Sequence, residues 1–293
     1  MFKPENVLKR YDPEEQEALL DELLARAAPK QDTPAKLVHL AETVEAAEQL
    51  RAEDGQLIGL SSGWSNVDDM LGGIRGSQLI VIAGETGHRK SLFCQNLALN
   101  VASEGHPVLF IGLEMANEEN TERFLDMGAD ETLPIVYPEA TTVSYKDIDG
   151  LVSAAVSDGI ELVVIDHLHM FALDGENEQA GLTKVCIEMK SIARRHGAAV
   201  ILVSHISRRA DRKGVPSLND LKGSSSIGQL ADKVVAVYSD GVENDVPDTE
   251  VTLMLRKSRR MAKQKLAKLT ILPNGKLVEP ASTLPNMFPT ASR

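Results

Sequence analysis

Aromatic residues are scarce in this 293-residue chain, 4% with a single tryptophan, which argues against an all-β sandwich. Cysteine is scarcer still. Cys94 and Cys186 have neither metal-type spacing nor a disulfide framework around them, and both fall in helical patterns, so they read as small buried hydrophobes. No stretch approaches the roughly 18 consecutive apolar residues of a membrane span, and the N-terminus lacks a signal-type apolar run; the expected location is the cytoplasm. Positive charge is not in excess either. With 31 Lys and Arg against 43 Asp and Glu, the net charge of −12 disfavours a protein that coats nucleic acid over its whole surface. What is present is ordinary for a globular chain, 43% hydrophobic and 25% charged, long enough for one large α/β domain with a small appendage. The basic residues are segregated. Arg208, Arg209, Arg212 and Lys213 form one cluster, and Arg256, Lys257, Arg259, Arg260, Lys263, Lys265 and Lys268 form another with no acid between them.

Residues 1–55 are acidic and helical in pattern. Asp12 suits an N-cap, Pro13 the first helical position, and Leu19, Leu20, Leu23, Leu24 and Ala27 share one face. A break from Ala28 to Pro34 precedes a second helical stretch over 35–53. Neither is large enough to fold independently, so their apolar faces are expected to pack on the main body or on a neighbouring subunit. From Gly59 short apolar runs alternate with helical periods, the signature of βαβ units and a mostly parallel sheet. Expected strands are Leu79–Ala83, Val108–Leu113, Leu162–Asp166, Val200–Ser204, Lys233–Tyr238 and Glu250–Leu255, with helices over Ser91–Ser103 and Gly181–His196. Lys268–Leu272 and Gly275–Val278 read as a hairpin across Pro273-Asn274. The expected organisation is an arm, 1–55, an α/β domain, 56–281, and a tail, 282–293.

The segment after the first strand, Gly84-Glu85-Thr86-Gly87-His88-Arg89-Lys90-Ser91, matches the phosphate-binding pattern G-x-x-x-x-G-K-[ST] at every defined position but one. Such a loop curls its backbone N–H groups around phosphates, and the following helix N-terminus adds positive potential. Lys90 is expected on the β/γ-phosphates and Ser91 on Mg²⁺. The departure is Arg89, where glycine is expected; a left-handed backbone there costs a side chain about 1 kcal/mol, and the opposing reading is an inactivated loop. Asp166 ends an apolar strand and suits the Mg²⁺ shell. Glu114 follows another strand and suits a general base, and His205 follows a third, where it can contact the γ-phosphate. Because parallel sheets bind ligands at the carboxyl ends of their strands, Lys90, Glu114, Asp166 and His205 should converge. The opposing readings are a helix N-terminal acid for Glu114 and a structural histidine for His205. His167 and His169 have an H-x-H spacing that hints at metal, but with no third ligand nearby in sequence they read as loop and packing residues.

On these residues the chain resembles the DnaB-like hexameric helicases, including the helicase half of phage primase-helicases and the mitochondrial helicase Twinkle, over roughly residues 56–280. Gly63–Ile74 resembles the family's approach to the phosphate loop, Gly112-Leu113-Glu114-Met115 its catalytic-glutamate motif, and Ile165-Asp166-His167-Leu168 its metal-site strand. The most specific resemblance is Ser217–Ile227 with Gln229-Leu230-Ala231-Asp232. It implies a RecA-like P-loop NTPase fold, ATP or another NTP or dNTP with Mg²⁺, and a homo-oligomeric, hexameric ring on single-stranded DNA. Lys257-Ser258-Arg259 matches the family's trans-acting K-x-R element, with Arg259 as an arginine finger for the neighbouring subunit. Ser204-His205 is closer to the phage branch. The stretch between Glu114 and Asp166 is shorter than in bacterial members, and no primase or DnaB-type N-terminal domain precedes residue 56, so primase, polymerase or loader functions are expected from partners. Arg208, Arg209, Arg212 and Lys213, with Lys222, Gly223, Ser224 and Ser225, are expected to line the channel and grip DNA phosphates, without aromatic stacking. Two other readings stay open: a RecA- or KaiC-like recombination or signalling ATPase, and a ring protein whose Arg89 has weakened hydrolysis.

Overall fold

The structure is a computed structural model, and it describes residues 57–139, 143–144, 147–168, 178–205, 229–239, 249–259 and 265–280, with isolated positions 40, 43, 44, 48 and 241. The chain divides into two compact units, Met1–Asp54 and Gly55–Arg293. In the first, Leu40, Thr43, Val44 and Glu48 are helical and exposed; the leucine stripe of the expected first helix lies outside the described residues.

The second unit is built on one nine-stranded sheet. Its strands are β1 (Leu79–Gly84), β2 (Val108–Gly112), β3 (Ile135–Val136), β4 (Leu162–Asp166), β5 (Ala199–His205), β6 (Lys233–Tyr238), β7 (Glu250–Ser258), β8 (Leu266–Ile271) and β9 (Leu277–Val278). They lie in the order β3-β2-β4-β5-β1-β6-β7-β8-β9. The first six in that order run parallel, and β7, β8 and β9 add on antiparallel. Among the described residues the helices are α1 (Ser65–Leu71), α2 (Lys90–Ser103), α3 (Asn117–Asp126), α4 (Ile148–Ser157) and α5 (Glu178–His196).

Continuous apolar runs such as Leu-Ile-Val-Ile-Ala in β1 form fully buried strands because helices cover both faces. Ile80 and Ile82 point into a core with Val67 and Met70 of α1 and Phe93 and Leu97 of α2. Leu79, Val81 and Ala83 point the other way, against Ile148 and Val152 of α4 and Val185, Met189 and Ile192 of α5. The antiparallel strands alternate instead: Val251, Leu253 and Leu255 of β7 face the core while their neighbours are part-exposed. Both cysteines are buried and free, as expected. The two-residue strand β3 is not expected from sequence; too short to carry a period, it exists by pairing with Val108 and Leu109.

Polar anchors inside this framework are few and well bonded. Asn96 of α2 is buried; its amide donates to the Gly275 carbonyl at 3.0 Å and its oxygen accepts from Leu277 N–H at 2.8 Å. It thereby ties the β8–β9 hairpin, which forms with the expected turn, to the helix behind the phosphate loop. Trp64 does the same from the other side, stacking on Phe93 and donating from Nε1 to the Leu277 carbonyl at 3.1 Å.

Candidate nucleotide site

The parallel register brings four predicted residues to one edge. Gly84 at the end of β1 is level with His205 at the end of β5, and Gly112, two residues before Glu114, is level with Asp166. Gly84 must be glycine: a Cβ there would lie 2.6 Å from the Val237 carbonyl of β6. Beyond it, Glu85, Thr86, Gly87 and His88 form the loop. His88 points inward, not toward a ligand. Buried and stacked on Tyr238, it accepts the Ser239 N–H on Nδ1 at 3.0 Å, and so anchors the loop to the end of β6. Its expected contribution to nucleotide binding is therefore limited to its backbone.

Arg89 caps α2 with φ 62° and ψ 24°, the left-handed region. The position therefore does require the conformation that glycine supplies in the common pattern, and this chain places an exposed arginine there at a cost. Lys90 follows on the first turn of α2, buried, with its ammonium donating to the Glu85 carbonyl at 2.7 Å. Burial pulls its pKa down to about 8, against the opposing pull of Asp166, Cys94, Glu114 and Glu85.

Ser91 donates its hydroxyl to Asp166. Burial raises the Asp166 carboxyl above the ordinary aspartate range, opposed by that bond and by His167 and Lys90. Its Oδ1 is buried without a hydrogen-bond partner among the described residues. An orphaned carboxylate oxygen beside a serine hydroxyl, at the foot of a phosphate loop, fits a hard oxygen-seeking cation such as Mg²⁺.

Glu114 extends from the end of β2, its side chain 55% exposed and its Oε2 3.3 Å from Nδ1 of buried His167. The His167 ring packs edge-on against His205 with centroids 4.2 Å apart, and Nδ1 of His205 lies 3.5 Å from the Thr86 hydroxyl of the loop. Sequence reasoning missed this grouping. It looked for a third ligand beside His167 along the chain, whereas Glu114 and His205 arrive from other strands. Their donor atoms all lie within 4.8 Å of one another, but two imidazoles and a carboxylate suit zinc-like ions better than Mg²⁺. His169 lies outside the described residues.

Lys257 and Arg259 stand at the opposite edge. Ser258 is level with Lys233, which is level with Ile80, four residues before Gly84 and therefore about 13 Å back along the strand. There Lys257 Nζ donates to the carbonyls of Gln229 and Ala231 at 2.7 and 2.8 Å, while Arg259 lies with Nε 3.5 Å from Asp232 Oδ1 and donates from its terminal Nη2 to the Leu230 carbonyl at 3.3 Å. Burial lowers the Lys257 pKa, and the Arg259 charge adds to that. Asp232 also accepts the Leu79 N–H at 2.8 Å and pairs with Lys190. The Gln229–Asp232 segment and the K-x-R element thus form one cluster, which their separation in sequence concealed. Arg208, Arg209, Arg212, Lys213, Lys222, Gly223, Ser224 and Ser225 lie outside the described residues.

A parallel sheet with helices on both faces, a phosphate loop after its central strand, and an acid, a base and a histidine at neighbouring strand ends define a RecA-like P-loop NTPase fold. Residues 59–132 and 128–271 match the family model of the DnaB-like helicase C terminal domain; the chain belongs to this family. It is 31% identical over 242 residues to a probable replicative DNA helicase of Trieres chinensis, covering 69% of this chain and 53% of that protein. It is 27% identical over 240 residues to the replicative DNA helicase DnaB of Geobacillus stearothermophilus, covering 70% and 52%. The chain thus spans about half the length of these curated relatives. Among solved structures, the fold is similar to a DnaB-like replicative helicase described with its interactions with primase, with TM-score 0.72, 22% identity, and 90% of this chain and 72% of that one covered. It is also similar to a structure of an isolated ATPase domain, with TM-score 0.74, 21% identity, and 84% and 100% covered. Among the described residues no helix is long and apolar enough to cross a membrane.

Proposed function

We propose that this chain is the motor of a replicative-type DNA helicase, which hydrolyses ATP or a related nucleotide as a hexameric ring and translocates on single-stranded DNA in the cytoplasm. Lys90 and the loop N–H groups hold the β- and γ-phosphates. Mg²⁺ held by Ser91 and Asp166 would neutralise charge on the phosphate oxygens. Glu114 orients the attacking water and takes its proton as the oxygen–phosphorus bond forms, and His205 hydrogen-bonds the γ-phosphate. The positive track of Arg208, Arg209, Arg212, Lys213 and Lys222–Ser225 grips DNA phosphates irrespective of sequence. Membership of the family and the relatives' names support this reading, and partner proteins such as a primase, polymerase or loader fit a chain of this extent.

The observation that carries the ring is the separation of the two edges. Arg259 stands about 13 Å along the strands from the start of its own phosphate loop, so it serves as a finger only for a neighbour. The test is ATP hydrolysis with and without single-stranded DNA, followed by mixing of Arg259→Ala and Glu114→Ala subunits. An interface that takes its finger from Glu114→Ala and its base from Arg259→Ala is complete, so mixed rings should recover single-turnover hydrolysis that neither parent shows. No recovery in mixed rings shown to form would refute the finger in trans. The left-handed Arg89 favours a second reading, a ring with weakened hydrolysis; an absence of turnover with intact nucleotide binding would select it.

A further inference from the structure

We infer that His167 is a positioning residue that holds the Glu114 carboxylate and the His205 ring as one unit; the inference rests on the roles proposed above for those two residues. The backbones of β2 and β4 are locked together just before the site, where Leu113 N–H donates to the Asp166 carbonyl at 2.6 Å. That bond does not fix the Glu114 side chain, which is long, half-exposed and rich in rotamers. His167 is its opposite: buried, short, and rooted directly after Asp166 at the end of β4. Its Nδ1 stands 3.3 Å from Glu114 Oε2, a separation that a small rotation of the exposed carboxylate turns into a good hydrogen bond, as catalytic contacts often tighten when substrate arrives.

The other face of the same ring meets His205 edge-on at 4.2 Å. His205 in turn contacts Thr86 of the phosphate loop. A chain of contacts therefore runs from the loop through His205 and His167 to the base. A γ-phosphate that draws His205 toward itself moves the ring that fixes Glu114, so the base is oriented when there is a phosphate to cleave. His167 touches neither nucleotide nor water in this arrangement; it acts through its two neighbours.

The test uses the full chain with ATP, Mg²⁺ and single-stranded DNA, and compares His167→Ala with His167→Asn, which keeps a polar side-chain atom near the Nδ1 position. Misplacing a base by about 1 Å costs on the order of 100-fold, so His167→Ala should lower kcat about 10- to 100-fold. KM and ADP affinity should change less than about twofold, because the phosphate cradle is untouched. His167→Asn should recover most of the lost kcat. The effects of His167→Ala and His205→Ala should also be non-additive, since the two residues act as a unit. A packing residue would behave differently, with equal losses for Ala and Asn that follow the loss of thermal stability; that outcome, or an unchanged kcat in His167→Ala, overturns the inference alone. Hydrolysis retained by Glu114→Gln would instead overturn the assignment of the base, and this inference with it.

Discussion

Replacing Arg89 by glycine should stabilise the protein, which is unusual for a substitution inside a nucleotide-binding loop. At φ 62° and ψ 24° a Cβ crowds the backbone carbonyl, at a cost of about 1–2 kcal/mol for an L-residue. Glycine removes that cost but returns about 0.5–1 kcal/mol as added freedom of the unfolded chain. The expected net gain is therefore up to about 1 kcal/mol, or a rise of about 2–4 °C in the melting midpoint for a domain of this size. Arg89→Ala separates geometry from charge, because it keeps the Cβ and loses the guanidinium. If strain is the cause, Arg89→Ala gains nothing while Arg89→Gly does. The assay is thermal unfolding of the three proteins without nucleotide, followed by ATP titration of each. Equal midpoints for Ala and Gly would refute the argument from the left-handed backbone. A loss of ATP affinity shared by both would show that the guanidinium itself binds phosphate, which the common form of the loop cannot do at this position.

Other perturbations follow from the same site. Lys90 is held at about 8 in the folded protein against an ordinary 10.5; between these values the unfolded chain binds more protons, so stability should rise with pH across that window. Phosphate favours the ammonium, so nucleotide affinity should fall above pH about 8, with a slope approaching tenfold per pH unit; an affinity flat from pH about 7 to about 9.5 in titration calorimetry would contradict this. Asn96→Ala leaves Leu277 N–H buried without its acceptor, and chemical denaturation should register a loss of about 1–3 kcal/mol. Neutralising Arg208, Arg209 and Arg212 together should weaken single-strand binding across all sequences and flatten its salt dependence, because phosphate contacts act through counterion release. Preserved affinity with an unchanged salt slope would move the DNA track elsewhere.

The sheet was legible because each buried parallel strand is a short apolar run bounded by punctuation, and the residue that ends each run is the one that faces the ligand edge. Lys90, Asp166, Glu114 and His205 could thus be placed from one sequence. Arg89 departs from the loop pattern, and its backbone angle gives that departure a physical meaning. What could not be read is side-chain direction across strands. His88 looked like a loop residue available to phosphate, yet it turns inward because Ser239 N–H and the Tyr238 ring are there to receive it. His167 looked like packing because sequence spacing cannot reveal that β2 and β5 flank β4 in the sheet. The same applies to Asp232, whose carboxylate meets Leu79 from β1, Lys190 from α5 and Arg259 after β7.

These placements give the two edges of one sheet different tasks. The carboxyl ends of β1, β2, β4 and β5 assemble the subunit's own nucleotide site, while the start of β6 and the end of β7 carry the cluster of Lys257, Arg259 and Asp232, directed in the proposed ring toward a neighbour. The segment 206–228 connects them: it follows His205 at one edge and leads into Gln229 at the other. In the proposed motor this is also the segment that carries Arg208, Arg209, Arg212 and Lys213. A displacement that begins when His205 loses its γ-phosphate therefore enters the DNA-contacting residues directly, and leaves them at the segment whose carbonyls hold the neighbour's finger. Hydrolysis in one subunit, grip on DNA and readiness of the next active site are thus joined by a single stretch of chain, which gives sequential firing around the ring a covalent route within each subunit.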